Sequence, residues 1–247
     1  MATYTDQPTL AADFLYPQKV SVDVKGSAIE GGRNTAGRSQ SIELSGGGLL
    51  TASYEGCRIN WPAQYEYINW LGARLNGSFR FINVPIITDY YGPWGGGQNH
   101  STWNSPDTIT KWIPHSDTAL FEDVSGYSQS STYGEIAAAS SLNAGTITMR
   151  VDGLSRPLRL SDWFSILHGT KGWRAYRYWR VLSVIDGDAP VYTLAVSPPL
   201  REAVASGTRV EFSRPRFVAK FPSDFTLESV SESYYAIEQN ISFEEAF

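Results

Sequence analysis

Tyr178-Trp179-Arg180-Val181-Leu182-Ser183-Val184-Ile185-Asp186-Gly187-Asp188-Ala189-Pro190-Val191-Tyr192-Thr193-Leu194-Ala195-Val196 is the stretch that decides the fold class. Two runs rich in β-branched and aromatic residues flank Asp-Gly-Asp, whose short polar side chains and glycine suit a tight turn, so the segment predicts a β-hairpin. Similar short runs lie on either side: Ile147, Met149 and Val151 in alternation, Trp163 to Leu167, Arg209 to Phe212, and Phe217 to Phe221. Pro198-Pro199 terminates one strand and Ser206-Gly207 turns the chain before another. Six short strands predict a small β-barrel over residues 143–221, with a domain boundary near 142.

Upstream, Val20, Val22 and Val24 alternate with Ser21 and Asp23, and Ile42 and Leu44 follow a loop rich in Gly, Arg and Asn. That two-residue period predicts half-buried strands at the start of the chain. Tyr65, Ile68, Leu71 and Leu75 then recur at helical spacing between Pro62, which suits a first turn, and Gly77, which suits a stop, so residues 62–76 predict one helix. Phe79 to Val84 resume the strand period until Pro85. The expected fold is mainly β: an N-terminal β-sandwich with one α-helix over residues 1–142, plus a C-terminal small β-barrel and an acidic extension over 222–247.

Residues 88–116 hold no sustained period and are dense in aromatics, which predicts a long loop of functional rather than disordered character. Its residues Tyr90, Tyr91, Trp94, Trp103 and Trp112 admit three readings: contact between subunits, stacking on a sugar, or packing within the domain.

Charge is unevenly distributed. The chain carries −5 overall with a pI near 5.3, which argues against holding duplex nucleic acid by phosphate neutralisation. Residues 171–220 hold nine Lys and Arg against four acids, whereas 221–247 hold six acids and no base. Either both are solvated surface, or a basic barrel rim (Arg174, Arg177) pairs with an acidic tail (Glu244, Glu245) on a neighbouring subunit. The single cysteine, Cys57, excludes an internal disulfide and reads as a small buried hydrophobe. The first residues lack the basic and apolar regions of a signal peptide, and no apolar run is long enough to span a bilayer, so neither secretion nor membrane insertion is expected.

Catalytic and metal-binding patterns are weak throughout. His100, His115 and His168 are scattered outside any H-E-x-x-H array, and no G-x-S-x-G elbow is present. Asp117, Glu122 and Asp123 lack the spacing of a calcium loop. Gly46-Gly47-Gly48 and Gly95-Gly96-Gly97 match neither phosphate-binding glycine pattern and read as flexible turns. No catalytic residue, cofactor or metal is expected. A carbohydrate-binding module is the main alternative, and a glycoside hydrolase, whose paired carboxylates cannot be placed from sequence, a third.

Leu160-Ser161-Asp162-Trp163-Phe164-Ser165-Ile166, Tyr178-Trp179-Arg180-Val181, and Ser197-Pro198-Pro199-Leu200-Arg201 together resemble motifs of tail proteins from long-tailed bacteriophages and gene transfer agents. Gly207 to Val210, Arg214-Pro215 and the terminal Ile241-Ser242-Phe243-Glu244-Glu245-Ala246-Phe247 extend the likeness over about residues 145–247. By size and two-part layout the nearest type is the distal tail protein. The resemblance implies a non-enzymatic virion protein made in the host cytoplasm. It implies a homo-oligomer, hexameric by preference and trimeric as the other option, that joins the tail tube to the baseplate hub. DNA would be only passing cargo in its channel, and residues 88–116 and 222–247 would be ordered by an adjacent copy.

Overall fold

The computed structural model describes residues 3–26, 28–33, 35–43, 46–87, 112–113, 127–128, 132–154, 156–158, 161–212, 214–228 and 237–247. After a four-residue helix α1 (Ala12–Leu15), the chain forms β1 (Lys19–Lys25), β2 (Ala28–Arg33), β3 (Ser39–Glu43) and β4 (Leu49–Ile59). Helix α2 (Pro62–Leu75) and β5 (Ile82–Pro85) follow, then the two-residue strands β6 (Trp112–Ile113) and β7 (Tyr127–Ser128), which pair. The remaining strands are β8 (Tyr133–Ala138), β9 (Thr146–Asp152), β10 (Trp163–His168), β11 (Gly172–Ile185), β12 (Val191–Ser197), β13 (Arg209–Glu211), β14 (Arg216–Lys220) and β15 (Ile237–Glu245).

Helix α2 begins with Pro62, as its sequence predicts. Gln64, almost wholly buried, secures that end: its Oε1 accepts from the amides of Asn60 (2.8 Å) and Trp61 (3.2 Å), and its Nε2 donates to the Phe14 carbonyl at 2.7 Å. Ile68, Leu71 and Leu75 form the buried stripe, and Gly77 ends the helix with φ +96°, where a side chain would be strained. The strand after it is shorter than the sequence alternation suggests. Phe79 is exposed and stacks under Arg80, and only the four wholly buried residues of β5 pair with β14.

Six strands close into a barrel in the order β10-β11-β12-β9-β8-β13. Phe164, Tyr176, Tyr178, Tyr192 and Phe212 fill it together with Ile147, Met149 and Val151. A second, five-stranded sheet runs β1-β4-β15-β14-β5. The mainly β class, the single substantial helix and the barrel thus follow the sequence pattern, while the partition of the chain differs from it in three places.

β8 belongs to the barrel although it precedes residue 142. Its Gly134 lies so close to Phe212 and Val210 that an added Cβ would stand 2.9 Å from the ring, so the strand closes the barrel against β13. β14, expected in the barrel, pairs with β5 and β15 in the sheet because Phe217 and Ala219 face the helix-side core. Residues 237–245, expected in an acidic extension, form the middle strand of that sheet. Ile237, Ile241 and Phe243 are buried there, and the intervening polar residues are what made the segment look solvated.

One apolar core connects α2, the sheet and the near side of the barrel, since Trp163 and Ala175 pack in the same cluster as Leu71, Tyr54 and Phe243. A smaller cluster of Phe81, Val218 and Ala246 takes in Trp173 of β11. Sheet and barrel are therefore packed together rather than tethered by a linker.

Candidate assembly interface

The joint between sheet and barrel is ionic as well as apolar. Arg174 rises from β11, Arg201 follows β12, and Glu245 ends β15. Glu245 Oε1 accepts from Arg174 Nη1 (3.1 Å) and Arg201 Nε (3.2 Å), and Oε2 accepts from Arg201 Nη2 (2.8 Å) and the Leu50 amide (3.2 Å). Arg174 also donates from Nη1 to the Ala246 carbonyl (2.7 Å) and from Nε to the Lys171 carbonyl (2.9 Å). Both guanidinium carbons lie over the Phe247 ring, at 4.6 and 4.9 Å. Burial pulls the Arg174 pKa down, and the Glu245 carboxylate opposes that pull.

The triple glycine belongs to this joint. Arg201 donates to the carbonyls of Gly46 and Gly48, and all three glycines have positive φ. An added Cβ at Gly48 would stand 1.8 Å from the Lys25 carbonyl oxygen. A turn read as merely flexible is thus a shaped acceptor loop.

These contacts overturn part of the expected subunit interface. Arg174 and Glu245 have no exposed side-chain surface and bond to each other within one chain, so neither is presented to a neighbour. Basic rim and acidic strand do attract, but intramolecularly, because β15 lies between β4 and β14 in the sheet and ends with Glu245 against Arg174 and Arg201. Glu244 points to the other face of the sheet, 3.4 Å from Lys220. Arg177 is exposed, donating to Ser161 Oγ at 2.6 Å with its guanidinium over Trp163. Tyr90, Tyr91, Trp94 and Trp103 lie outside the described residues, and Trp112 contributes backbone pairing to β6.

Potential reacting groups are held quiet. His168 Nε2 bonds the Tyr176 hydroxyl at 2.7 Å, and burial lowers its pKa to about 4, so it is neutral near pH 7. Burial raises the Cys57 thiol to about 11, which leaves almost no thiolate. His100, His115 and the Asp117, Glu122, Asp123 group lie outside the described residues. Among the described residues no group of three or more His, Cys, Asp or Glu side chains could hold a metal, and no helix is long and apolar enough to cross a membrane.

The outer surface holds three features that sequence reading missed. The β2–β3 hairpin stands away from both cores: every residue of β2 is exposed, and its cross-strand pair Ile29 and Ile42 is 55% and 60% exposed. β11 outruns β10, whose pairing stops at Arg177, and on the overhang Trp179 (64%), Leu182 and Ile185 are exposed. Between β1 and this overhang opens a cleft of about 980 Å³, flanked by Asp23, Val24, Gly47, Arg177, Trp179 and Pro199. Asp23 is the one carboxylate among its described lining residues, so the paired acids of a glycosidase do not meet there. The signal for the hairpin was an Ile on either side of a Gly-rich, charged turn.

Comparison with models of known protein families and with curated proteins finds no match to this chain.

Proposed function

We propose that the chain is a structural subunit of a long-tailed phage virion, of the distal tail type, which assembles into a ring joining the tail tube to the baseplate hub. The observation that carries this reading is the β2–β3 hairpin. A two-stranded hairpin alone in water is marginally stable, and this one exposes its Ile29–Ile42 pair and every residue of β2. Such an element gains stability when a partner covers it. The tail-protein motifs between residues 145 and 247 supply the virion context, and the net charge of −5 suits a channel wall that lets DNA slide past rather than gripping it. Binding and register do the work in this mechanism, and no bond is made or broken.

The test is the native mass of the purified chain over a concentration series, with electron microscopy of the largest species. Closed rings near six times the 27.3 kDa chain mass are expected, with three times that mass as the smaller ring. A strict monomer whose Trp fluorescence shifts on adding oligosaccharide would replace this reading with a carbohydrate-binding module.

A further inference from the structure

The two edges of the five-stranded sheet are treated differently. On the β5 side the chain covers its own edge: the Leu10 amide donates to the Asn83 carbonyl and the Asn83 amide to the Pro8 carbonyl, each at 2.8 Å, with Thr9 bridged to Asn83. On the other side β1, seven residues long, pairs with β4 alone among the described strands. A strand edge with no partner among the described residues is a template for another strand.

That edge forms one wall of the 980 Å³ cleft, and the exposed overhang of β11 forms the opposite wall with Trp179 and Arg177. The cleft therefore offers on one side a strand edge with no strand partner among the described residues, its Val24 amide held by Asp23 Oδ1 at 2.8 Å, and on the other an aromatic face with a cation. It suits an extended segment with apolar side chains on one face and a base for Asp23 on the other.

The chain carries such a segment. β2, Ala28 to Arg33, is six residues long, places Ile29 beside Glu30, and ends in Arg33. Within its own chain β2 pairs with β3 in a separate two-stranded sheet and not with β1.

We propose that the cleft beside β1 receives the β2–β3 hairpin of a second copy of this chain. A hairpin strand extends the sheet at β1, Ile29 and Ile42 pack on Trp179 and Val24, and Arg33, on the opposite face of its strand, meets Asp23. Main-chain hydrogen bonds supply affinity and the charge pair fixes register. Giver and receiver are different surfaces, so the contact runs head to tail and closes a ring when its rotation permits. This inference rests on the assembly reading and names the contact that reading needs.

Two single variants test it: Ile29→Asp spoils the hairpin's apolar face and leaves the cleft intact, and Trp179→Glu spoils the cleft by setting a charge against Ile29 and Ile42 and leaves the hairpin intact. Both residues are exposed, and circular dichroism with thermal melting checks that each variant folds. In sedimentation velocity each variant alone loses association by about tenfold or more. Mixed one to one, the two form a heterodimer and nothing larger, because the mixture holds a single intact hairpin–cleft pair per couple. Variants that assemble like the wild type overturn the contact while leaving assembly standing. Monomeric variants whose mixture stays monomeric overturn the pairing of these two surfaces, and a wild type monomeric at every concentration overturns both proposal and assembly reading.

Discussion

Arg174 Nη1 on β11 and Glu245 Oε1 on β15 meet at 3.1 Å with neither side chain exposed, although 70 residues lie between them in sequence. Arg201 completes the group from a third element. Two cations share one buried anion, and the carbonyls of Ala246, Lys171, Gly46 and Gly48 accept further protons from them, while Arg174 Nη2 is buried without a hydrogen-bond partner.

Glu245→Gln removes the shared anion and leaves two guanidinium groups buried without a counter-charge. Stability falls by roughly 3–5 kcal/mol, read from the urea midpoint. Glu244→Gln, next in the chain but in a part-exposed pair with Lys220, changes it by less than about 1 kcal/mol. Equal effects from the two would dismiss the joint as a stability element.

Acid weakens the fold through His168. Its folded pKa of about 4 lies below the ordinary 6.5, so the unfolded chain binds more protons between those values and stability declines as pH falls from 6.5 towards 4. The loss is about 2–3 kcal/mol. His168→Gln, which keeps a polar partner for the Tyr176 hydroxyl, flattens this part of the stability–pH curve. An unchanged slope would assign the acid sensitivity to other groups.

Sheet and barrel unfold together. Leu71→Ala under the helix and Phe164→Ala inside the barrel each remove a fully buried side chain and cost about 3–5 kcal/mol. Because Trp163 and Ala175 tie the barrel to the core under α2, each variant moves one calorimetric transition rather than splitting it in two. Two separate transitions would contradict the shared core.

Gly48→Ala distorts the acceptor loop, since φ is +88° and the new methyl carbon meets the Lys25 carbonyl. A loss of more than about 1 kcal/mol is expected, with Arg201→Lys weakening the fold through the same loop. The two losses fall short of additive in the double variant, as they do for groups in direct contact.

Periodicity exposed most of the elements. The alternation of Ile147, Met149 and Val151 marked β9, the Asp-Gly-Asp turn marked the β11–β12 hairpin, and the spacing of Ile68, Leu71 and Leu75 marked α2. Partnership was not legible. Phe217 to Phe221 look like one more barrel strand because strand pattern does not name a neighbour, and β14 crosses to the sheet. In β15 the count of acids hid a regular alternation of Ile237, Ile241 and Phe243. A carboxylate that faces inward, Glu245, has the same letter as one that faces water. The aromatic residues Tyr90 to Trp103 lie outside the described residues, and the exposed surface instead brought forward Ile29, Ile42, which its strand period made look half-buried, and Trp179, which stood out only as part of a strand motif.

The central place of β15 sets a timetable for synthesis. Every barrel strand from β8 to β13 leaves the ribosome before residue 237 does, while β4, finished at Ile59, waits for the strand that fills its second edge. At ordinary elongation speeds that delay is roughly 10–40 s. The barrel can thus settle first and offer Arg174 and Arg201 as a landing point for the Glu245 strand, and until that strand arrives the β4 edge is the place where a nascent chain most needs a chaperone.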